Sequence, residues 1–223
     1  MTLHEKGVAR DYFETICICV IFVLFSRAFV FQQSKIPTGS MKDTLLIGDY
    51  IMVNRFVYGY TPTGIEAAVL PVKPIERGDV VVFKFPKEPE TDYIKRVIGL
   101  PGDELEIVGG TVYINGKSLE EGYVKRAQYA GVGMNDNFGP IAIPEDQYFC
   151  MGDNRDRSFD SRAWGFVDRS LIKGRALLIW YSFDEDPEAY RKTAMRDRVA
   201  GVLNKLVHFF DGTRWSRMFH IIQ

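Results

Sequence analysis

Ser40 and Lys95 are the two side chains of this sequence whose types could together carry out nucleophilic chemistry. A serine hydroxyl is a poor nucleophile until a base takes its proton, and a lysine amine can act as that base only when it is neutral. Lysine titrates at about 10.4 in water, and burial lowers its pKa by up to several units. Because Lys95 lies in an apolar strand pattern, the pair predicts a serine hydrolase with a lysine base.

Histidine, the base that serine nucleophiles often use, is confined to the two ends of the chain, at His4, His208 and His220. A Ser-His-Asp triad would therefore have to take its base from outside the middle of the sequence. A lysine base is the simpler interpretation.

Lys95 and Arg96 both interrupt the apolar pattern of a strand predicted over Tyr93–Ile98. Side chains alternate between the two faces of a strand, so Lys95 shares its face with Tyr93 and Val97, while Arg96 lies on the other face. The alternative is an edge strand whose long cationic side chains reach water, and the pattern alone favours that alternative. The edge-strand alternative becomes less favoured only when a serine partner for the lysine amine is considered as well.

Ser40 has two interpretations. The run Ser40–Asp43 fits the capping box of a helix N-terminus, in which a serine and an acidic residue three positions later satisfy backbone amides. In the second interpretation, Gly39 lets a substrate backbone approach closely, and Thr38 offers a hydroxyl beside the Ser40 amide for a developing oxyanion. Taken alone, Ser40 is as compatible with the cap as with the nucleophile.

A polar loop over residues 151–162 follows directly after a predicted apolar strand. Such a position lets a rigid scaffold present a loop to a site, although an ordinary polar turn would have the same composition. Within the loop, Asp160 and Arg162 could pair, and Ser158 could orient a neutral amine.

Short strands separated by turns dominate the middle of the chain, which predicts a mainly β fold with an antiparallel β-sheet catalytic domain. Gly-Asp turns beginning at Gly48, Gly78 and Gly102 punctuate the strands. A hairpin is predicted across Gly109 and Gly110. The predicted strands are Tyr50–Val57, Val80–Phe85, Tyr93–Ile98, Glu104–Val108, Thr111–Ile114, Gln147–Met151 and Arg175–Phe183.

Changes in composition divide the chain into five parts. They are an N-terminal tail (1–11), an apolar anchor (12–31), a catalytic β core (32–103 and 145–183), a smaller β insertion that contains Gly131, Gly133 and Gly139 (104–144), and a C-terminal helical segment (184–223).

The apolar segment 12–31 would extend about 30 Å as a helix, which matches the hydrocarbon core of a bilayer. Glu14 and Arg27 lie near its ends, where their side chains can reach the interface. The pattern predicts one N-terminal transmembrane helix. The alternative is a removable signal peptide with Ser26–Ala28 as its cleavage site. Basic residues flank the segment on both sides, so charge does not predict its orientation.

A C-terminal amphipathic helix is predicted because apolar residues recur at helical spacing from Val199 to Phe210. Such a stripe is more often a packing face than a functional site. Because basic residues surround it, a second interpretation is that the helix lies on a membrane surface.

The composition argues against nucleic acid as a partner, since 28 basic and 29 acidic residues give a formal charge of -1. Cys17, Cys19 and Cys150 have neither metal-site nor disulfide spacing, and Cys150 is predicted to be a small core residue. We predict no metal and no organic cofactor.

Four ordered motifs resemble the successive motif boxes of bacterial type I signal peptidases, serine proteases with a Ser-Lys dyad. The resemblance covers roughly residues 34–183 and the preceding apolar segment. The motifs are PTGSM from Pro37, GDVVVFKFP from Gly78, DYIKRVIGLPGD from Asp92 and GDNRDRSFDSRAWGFV from Gly152.

The resemblance implies a role for each matching position. Ser40 would be the nucleophile and Lys95 the general base, with the Ser158 hydroxyl hydrogen-bonded to the lysine amine. Thr38 would contribute to the oxyanion hole beside the Ser40 amide. Two further sets follow from the same match: Asp160 and Arg162 would support the site through a salt bridge, and Ile36, Met41, Val82, Tyr93 and Ile94 would form walls of pockets for small substrate side chains.

The implied substrate is an exported preprotein, bound as an extended strand and cut after small residues at -1 and -3 through an acyl-enzyme on Ser40. The resemblance places the enzyme in the cytoplasmic membrane with its catalytic domain on the outer side, and the one apolar segment predicts a single-pass protein. The expected partners are preproteins and the lipid bilayer, and the expected state is a monomer.

The sequence departs from the best-known members of that family, which span the membrane twice. It has one apolar segment and a short insertion without a cysteine pair. A self-cleaving repressor-type protease is one alternative, but no basic recognition helix precedes Ser40. A mitochondrial inner-membrane peptidase is closer kin. A non-enzymatic membrane-anchored β module is the third alternative, favoured only if both dyad residues are replaceable.

Overall fold

The computed structural model describes residues 7–25, 31–42, 44–58, 73–124, 136–186 and 195–222. Within these residues the fold is mainly antiparallel β, as the sequence predicts, and consists of two sheets with short helices. The predicted β insertion forms the smaller sheet.

The bounds of the elements follow chain order. The α-helices are α1 (Val8–Phe25), α2 (Ser161–Trp164) and α3 (Met195–Val207). The strands are β1 (Phe31–Lys35), β2 (Asp49–Asn54), β3 (Val80–Phe85), β4 (Glu88–Gly99), β5 (Glu104–Val108), β6 (Thr111–Ile114), β7 (Lys117–Ser118), β8 (Phe138–Ala142), β9 (Gln147–Met151), β10 (Val167–Asp168), β11 (Ile172–Ser182) and β12 (His220–Ile221).

The larger sheet has the strand order β1-β2-β11-β3-β4-β9-β10, and β12 also pairs with β11. Strand β4 is therefore an interior strand, hydrogen-bonded to β3 on one side and to β9 on the other. Lys95 lies opposite Val81, and Arg96 lies opposite both Val80 and Met151. Both cationic side chains are buried. The edge-strand interpretation is therefore wrong, because β4 is paired on both sides and neither cationic side chain extends into bulk water.

The two faces of the larger sheet carry separate buried clusters. Val81 and Phe83 of β3 pack into the first cluster together with Trp164 of α2. Val80 and Val82, which alternate with them, pack into the second cluster. We call it the nucleophile-side cluster because it contains Met41, which directly follows the predicted nucleophile Ser40. The members of this second cluster are Ile36, Met41, Leu45, Ile51, Val53, Val80, Val82, Ala176, Ile179 and Ile222.

The smaller sheet has the order β7-β6-β5-β8. Its predicted hairpin is confirmed, because Val108 pairs with Thr111 across Gly109 and Gly110. Both glycines have positive φ angles, 54° and 75°, which residues with a Cβ rarely adopt. Gly131 and Gly133 of the predicted insertion lie outside the described residues.

Strand β2 ends three residues earlier than the predicted strand Tyr50–Val57. The Asn54 side chain accepts hydrogen bonds from the backbone amides of Phe56 and Val57, at 2.9 and 3.2 Å. An asparagine that bonds the backbone two and three residues ahead turns the chain and ends its extended course.

The predicted transmembrane helix over residues 12–31 is not found in the part of the chain that the structure describes. Helix α1 has 18 residues, and among the described residues no helix is long and apolar enough to cross a membrane. Arg10, Asp11 and Glu14 place three charges in its first two turns. The rest of the predicted segment, with Arg27 and the alternative cleavage site Ser26–Ala28, lies outside the described residues.

The predicted C-terminal helix is present as α3, but its apolar stripe does not pack against the protein. Val202, Leu203, Leu206 and Val207 are all more than half exposed, and Phe210 beyond the helix is 80% exposed. The interpretation of this stripe as a packing face is therefore wrong for these residues. The side chain of Val199 is not among those that the structure describes.

Candidate active site

Ser40 and Lys95 meet in the structure although 55 residues separate them. Ser40 lies in a 3-10 turn, Gly39–Met41, and Lys95 lies in the interior strand β4. Lys95 Nζ is 2.5 Å from Ser40 Oγ, and the two residues are only 4% and 8% exposed. This is the distance at which a base takes a proton directly from a nucleophile.

Burial lowers the pKa of the Lys95 amine from 10.5 to about 8, because a charged ammonium loses its hydration. The carboxylate of Asp160 and, less strongly, that of Asp153 oppose this shift, while the guanidinium of Arg162 reinforces it. Desolvation dominates, so a substantial fraction of the amine is neutral near pH 8. The site therefore supplies the unprotonated lysine that the predicted Ser-Lys chemistry would require.

The turn that carries Ser40 is held by the loop after β9, which spans residues 152–160. The amide of Asn154 donates to the Ser40 carbonyl oxygen at 3.1 Å, and its side-chain amide donates to the Gly39 carbonyl oxygen at 2.9 Å. Gly152 lies against the same carbonyl, and a Cβ there would collide with both the Ser40 oxygen and the Ser158 hydroxyl. Only glycine allows this approach of loop to turn.

Asp160, at the end of that loop, and Arg162, in helix α2, form a buried, bidentate pair. Arg162 Nε donates to Asp160 Oδ1 and Nη2 donates to Oδ2, each at 2.8 Å. Asp160 Oδ2 also accepts the Gly152 amide at 3.1 Å, and Arg162 Nη2 donates to the Arg155 carbonyl oxygen at 2.7 Å. Paired charges with this many fixed bonds lock the loop in one conformation.

Ser158 lies beside Gly152, but its hydroxyl has no hydrogen-bond partner among the described residues. The structure thus brings Ser158 close to the Ser40 turn without the hydrogen bond to Lys95 that the resemblance implies. A buried hydroxyl that is left unpaired is costly, so it is available to a partner that arrives with substrate or with a change of protonation.

Two further arginine pairs surround the dyad, and spacing in the sequence did not single them out. Arg96 is 1% exposed, and its Nε and Nη2 atoms donate to the Asp153 carboxylate at 2.9 and 2.7 Å. Arg155 donates through both terminal nitrogens to Glu121, a residue between β7 and β8 of the smaller sheet. The partners lie 57 and 34 residues apart, so no local pattern relates them.

A cleft of about 620 Å³ opens onto the dyad. Thr38 lies in its wall and is exposed, and Tyr93 and Ile94 form the side given by β4. Its lining residues are Pro37, Thr38, Gly39, Ser40, Lys42, Thr91, Asp92, Tyr93, Ile94, Lys95, Asn154, Arg157 and Phe159.

The other three predicted pocket residues are not in the lining of this cleft. Ile36, Met41 and Val82 are buried in the nucleophile-side cluster, and Ile94 packs against that cluster. They lie behind the cleft wall rather than on its surface. Among the described residues, no group of His, Cys, Asp and Glu side chains is arranged to hold a metal ion.

Comparison with known families decides the class of this site. Residues 9–181 match the model of the family described as signal peptidase, peptidase S26. The chain belongs to this family. The resemblance inferred from the four motifs is thereby confirmed, and the chain is a hydrolase of the serine-protease class.

Individual relatives align with this chain over most of their own length. A signal peptidase I of Rickettsia typhi is 34% identical, in an alignment that covers 98% of this chain and 95% of the relative. A signal peptidase I of Bacillus licheniformis is 36% identical over 82% of this chain and 94% of its own. The crystal structure of a signal peptidase I from Enterococcus faecalis V583 matches with a TM-score of 0.41 and 34% identity, covering 46% of this chain and 97% of that chain.

The buried amine predicts an unusual stability effect for Lys95→Met, which removes the charge and keeps the length of the side chain. The lysine pKa is about 8 in the folded protein and 10.5 for an unperturbed lysine, so the unfolded chain binds more protons between these values, and wild-type stability rises with pH across that window. We expect Lys95→Met to be more stable than wild type at pH 7, by up to about 3 kcal/mol. The difference should shrink between pH 8 and pH 10.5.

Urea unfolding at a series of pH values measures this difference. Lys84→Met is the matched control, because Lys84 is an exposed lysine on the neighbouring strand β3. Its difference from wild type should stay flat across the same pH range. A flat difference for Lys95→Met as well would contradict the desolvation of the amine.

Proposed function

We propose that this chain removes N-terminal signal peptides from exported preproteins, cutting after small residues at -1 and -3, with Ser40 as nucleophile and Lys95 as general base. The observation that carries the proposal is the 2.5 Å contact between the Lys95 amine and the Ser40 hydroxyl at the base of a cleft. The family and the relatives named signal peptidase I supply the substrate class.

In the first half-reaction, neutral Lys95 takes the proton of the Ser40 hydroxyl as the oxygen attacks the scissile carbonyl carbon. The tetrahedral intermediate collapses when the peptide C–N bond breaks. The lysine ammonium gives its proton to the departing amine, which leaves as the new N-terminus of the mature protein, and the signal peptide stays on Ser40 as an ester.

In the second half-reaction, Lys95 is neutral again and takes a proton from water, which attacks the ester carbonyl. Collapse of the second intermediate breaks the bond to Ser40 Oγ, and the lysine returns the proton to that oxygen. The low pKa of Lys95, about 8, supports both halves, because the same amine must accept and release a proton in each turnover.

Thr38 and the Ser40 amide are the proposed oxyanion hole. Thr38 is exposed in the cleft two residues before the nucleophile, where its hydroxyl can turn toward a developing oxyanion. Donors of this kind stabilise charge that exists only in the transition state, and each contributes about 3 to 4 kcal/mol.

Ser158, Asp160 and Arg162 are proposed as supporting residues. The Asp160–Arg162 pair holds the loop that positions the Ser40 turn, which supports a structural role. The unpaired Ser158 hydroxyl supports a role in orienting the lysine amine once that amine is neutral and can accept a hydrogen bond.

The preference for small side chains has a physical basis in the cleft wall. Tyr93 and Ile94 line the cleft, and Ile94 packs against the buried cluster that contains Ile36, Met41 and Val82. A close-packed core gives little room for a large side chain to enter. An extended substrate laid along this wall would therefore be selected for small residues.

Cleavage of a purified preprotein with an Ala-x-Ala site tests the proposal. Full-length wild type in detergent should cut after the second alanine, and Lys95→Ala should not. Lys95→Arg should also be nearly inactive, since a guanidinium is not deprotonated in this range. Lys42→Arg is the matched control, because Lys42 lines the same cleft and is exposed, and it should keep wild-type turnover. Substantial turnover by Lys95→Arg would overturn the assignment of the base.

The pH dependence of the same reaction makes an independent prediction. Because Lys95 acts only when neutral, kcat/KM should rise with pH through a midpoint of about 8, the pKa of the buried amine, and level off above it. Initial rates at low substrate from pH 6 to pH 10 give this profile. A rate that is constant from pH 6 to pH 8 would exclude a lysine with this pKa as the base.

We also propose that the chain works at the outer face of the cytoplasmic membrane and touches the bilayer through exposed apolar side chains. In α1, Ile18 and Phe22 are 67% and 68% exposed. Exposed apolar surface of this kind indicates an interaction site. Cell fractionation tests it: Ile18→Asp combined with Phe22→Asp should move the chain from the membrane fraction to the supernatant, whereas Val108→Asp on β5 should not. Retention of the double variant on membranes would exclude α1 as the contact.

A further inference from the structure

The last residues of the described chain return to the larger sheet. The Phe219 amide donates to the Ile179 carbonyl oxygen at 2.6 Å, and the Ile222 amide donates to the Leu177 carbonyl oxygen at 2.8 Å. Strand β12 lies between these two contacts and pairs with β11. We call residues 213–222 the C-terminal tail. It lies outside the motifs that carry the chemistry, and the mechanism above does not use it.

The tail holds a fully buried carboxylate, Asp49. Arg217 Nη2 donates to Asp49 Oδ2 at 2.7 Å, and Ser182 Oγ donates to Asp49 Oδ1 at 2.6 Å. Asp49 Oδ2 also accepts the Leu46 amide at 2.8 Å. Arg214 is the other arginine near this carboxylate, and its Nη1 atom lies farther away, 3.7 Å from Asp49 Oδ1. Arg217 is therefore the main compensation for a carboxylate charge with no access to water.

Arg217 also binds the loop over residues 44–49, which ends at Asp49. Its Nη2 atom donates to the carbonyl oxygen of Thr44 at 2.9 Å, so one guanidinium bonds both ends of residues 44–49. Arg214 adds a bond to the Ile47 carbonyl oxygen at 3.0 Å. Both arginines come from the tail, and both bind a loop that begins four residues after Ser40.

This loop in turn fixes the segment that carries Ser40. The Leu45 amide donates to the Met41 carbonyl oxygen at 2.7 Å, which ties the loop to the residue after the nucleophile. On the other side, the Ile36 amide donates to the Asp49 carbonyl oxygen at 2.8 Å. Residues 36–41 are thus clamped at both ends by the loop that Arg217 holds.

Apolar packing connects the tail to the same segment. Ile222 is 5% exposed and belongs to the nucleophile-side cluster together with Ile36 and Met41. These two residues stand four positions before and one position after Ser40. The tail therefore reaches the nucleophile segment through two independent contacts, one ionic and one apolar.

We propose that the C-terminal tail positions the nucleophile, with Arg217 as the positioning residue that sets Ser40 against Lys95. The proposal rests on the function proposed above, in which Ser40 is the nucleophile. Arg217 touches neither the reacting atoms nor the lining of the cleft, so its loss acts on the placement of Ser40 and not on substrate binding. A displacement of about 1 Å at a nucleophile costs about a hundred-fold in rate.

Steady-state cleavage of a preprotein by full-length Arg217→Met, corrected for the folded fraction, tests this. We expect kcat to fall about ten- to a hundred-fold and KM to change less than about three-fold. Lys205→Met is the matched control, because Lys205 is a part-buried cation of the same region whose ion pair and hydrogen bond, among the described residues, go to Glu185 and to the Tyr50 hydroxyl, outside residues 36–49. It should keep the wild-type kcat. A wild-type kcat for folded Arg217→Met would overturn the proposal.

A second variant separates positioning from stability. In Arg217→Met combined with Asp49→Asn, no buried charge is left uncompensated, so thermal stability should recover. The bond to the Thr44 carbonyl oxygen is still missing, so kcat should stay low. Recovery of both stability and kcat would show that Arg217 only stabilises the fold, and this result would contradict the proposal. If Arg217→Met alone does not fold, the kcat of the double variant provides the test of positioning instead.

Ser40→Ala in the same assay separates the two proposals. If Ser40→Ala is inactive and Arg217→Met is fully active, the tail proposal fails and the function stands. If Ser40→Ala cuts as well as wild type, the nucleophile assignment fails and the tail proposal fails with it. If Ser40→Ala is inactive and Arg217→Met loses kcat without a change in KM, both are supported.

Discussion

The structure depends on one constraint: the Lys95 amine must be shielded from water while it lies 2.5 Å from the Ser40 hydroxyl. A lysine in water is protonated at neutral pH, and only burial brings its pKa down to about 8. The larger sheet meets this constraint by putting Lys95 on an interior strand, hydrogen-bonded on both sides. Under the proposed mechanism, the same choice lets the site work without a histidine. It also carries a cost in stability, because the protein must hold a group that would be better solvated when charged.

Three arginine–carboxylate pairs give the rigidity that this arrangement requires. Arg96 with Asp153, Arg155 with Glu121, and Arg162 with Asp160 are all nearly inaccessible to water. A guanidinium that binds a carboxylate through two parallel hydrogen bonds fixes orientation as well as distance. Each pair joins different parts of the chain: β4 to the loop after β9, the smaller sheet to that loop, and helix α2 to the end of that loop. The charges also tune Lys95, since the Asp160 and Asp153 carboxylates raise its pKa and Arg162 lowers it.

The turn that carries Ser40 is too short to hold itself, with three residues and no side-chain cap. Its placement comes from its surroundings. Asn154 binds the carbonyl oxygens of the turn from one side, and Met41 anchors it in the nucleophile-side cluster. The loop over residues 44–49, bonded by Arg217, completes the support. A short segment held by distant parts of the chain can line a cleft and still be rigid.

The sequence by itself determined the strands whose alternation and turns are local, such as Val80–Phe85 and Glu104–Val108, and the order of the four motifs that identify the family. These depend on neighbouring residues, so they can be read along the chain. Tertiary structure alone decided the exposure of the α3 stripe, the burial of Ile36, Met41 and Val82 outside the cleft lining, and the unpaired state of Ser158 among the described residues. It also brought Arg217 to Asp49 across 168 residues. Contacts between distant residues depend on how sheets and loops pack, and no spacing in the sequence records that packing.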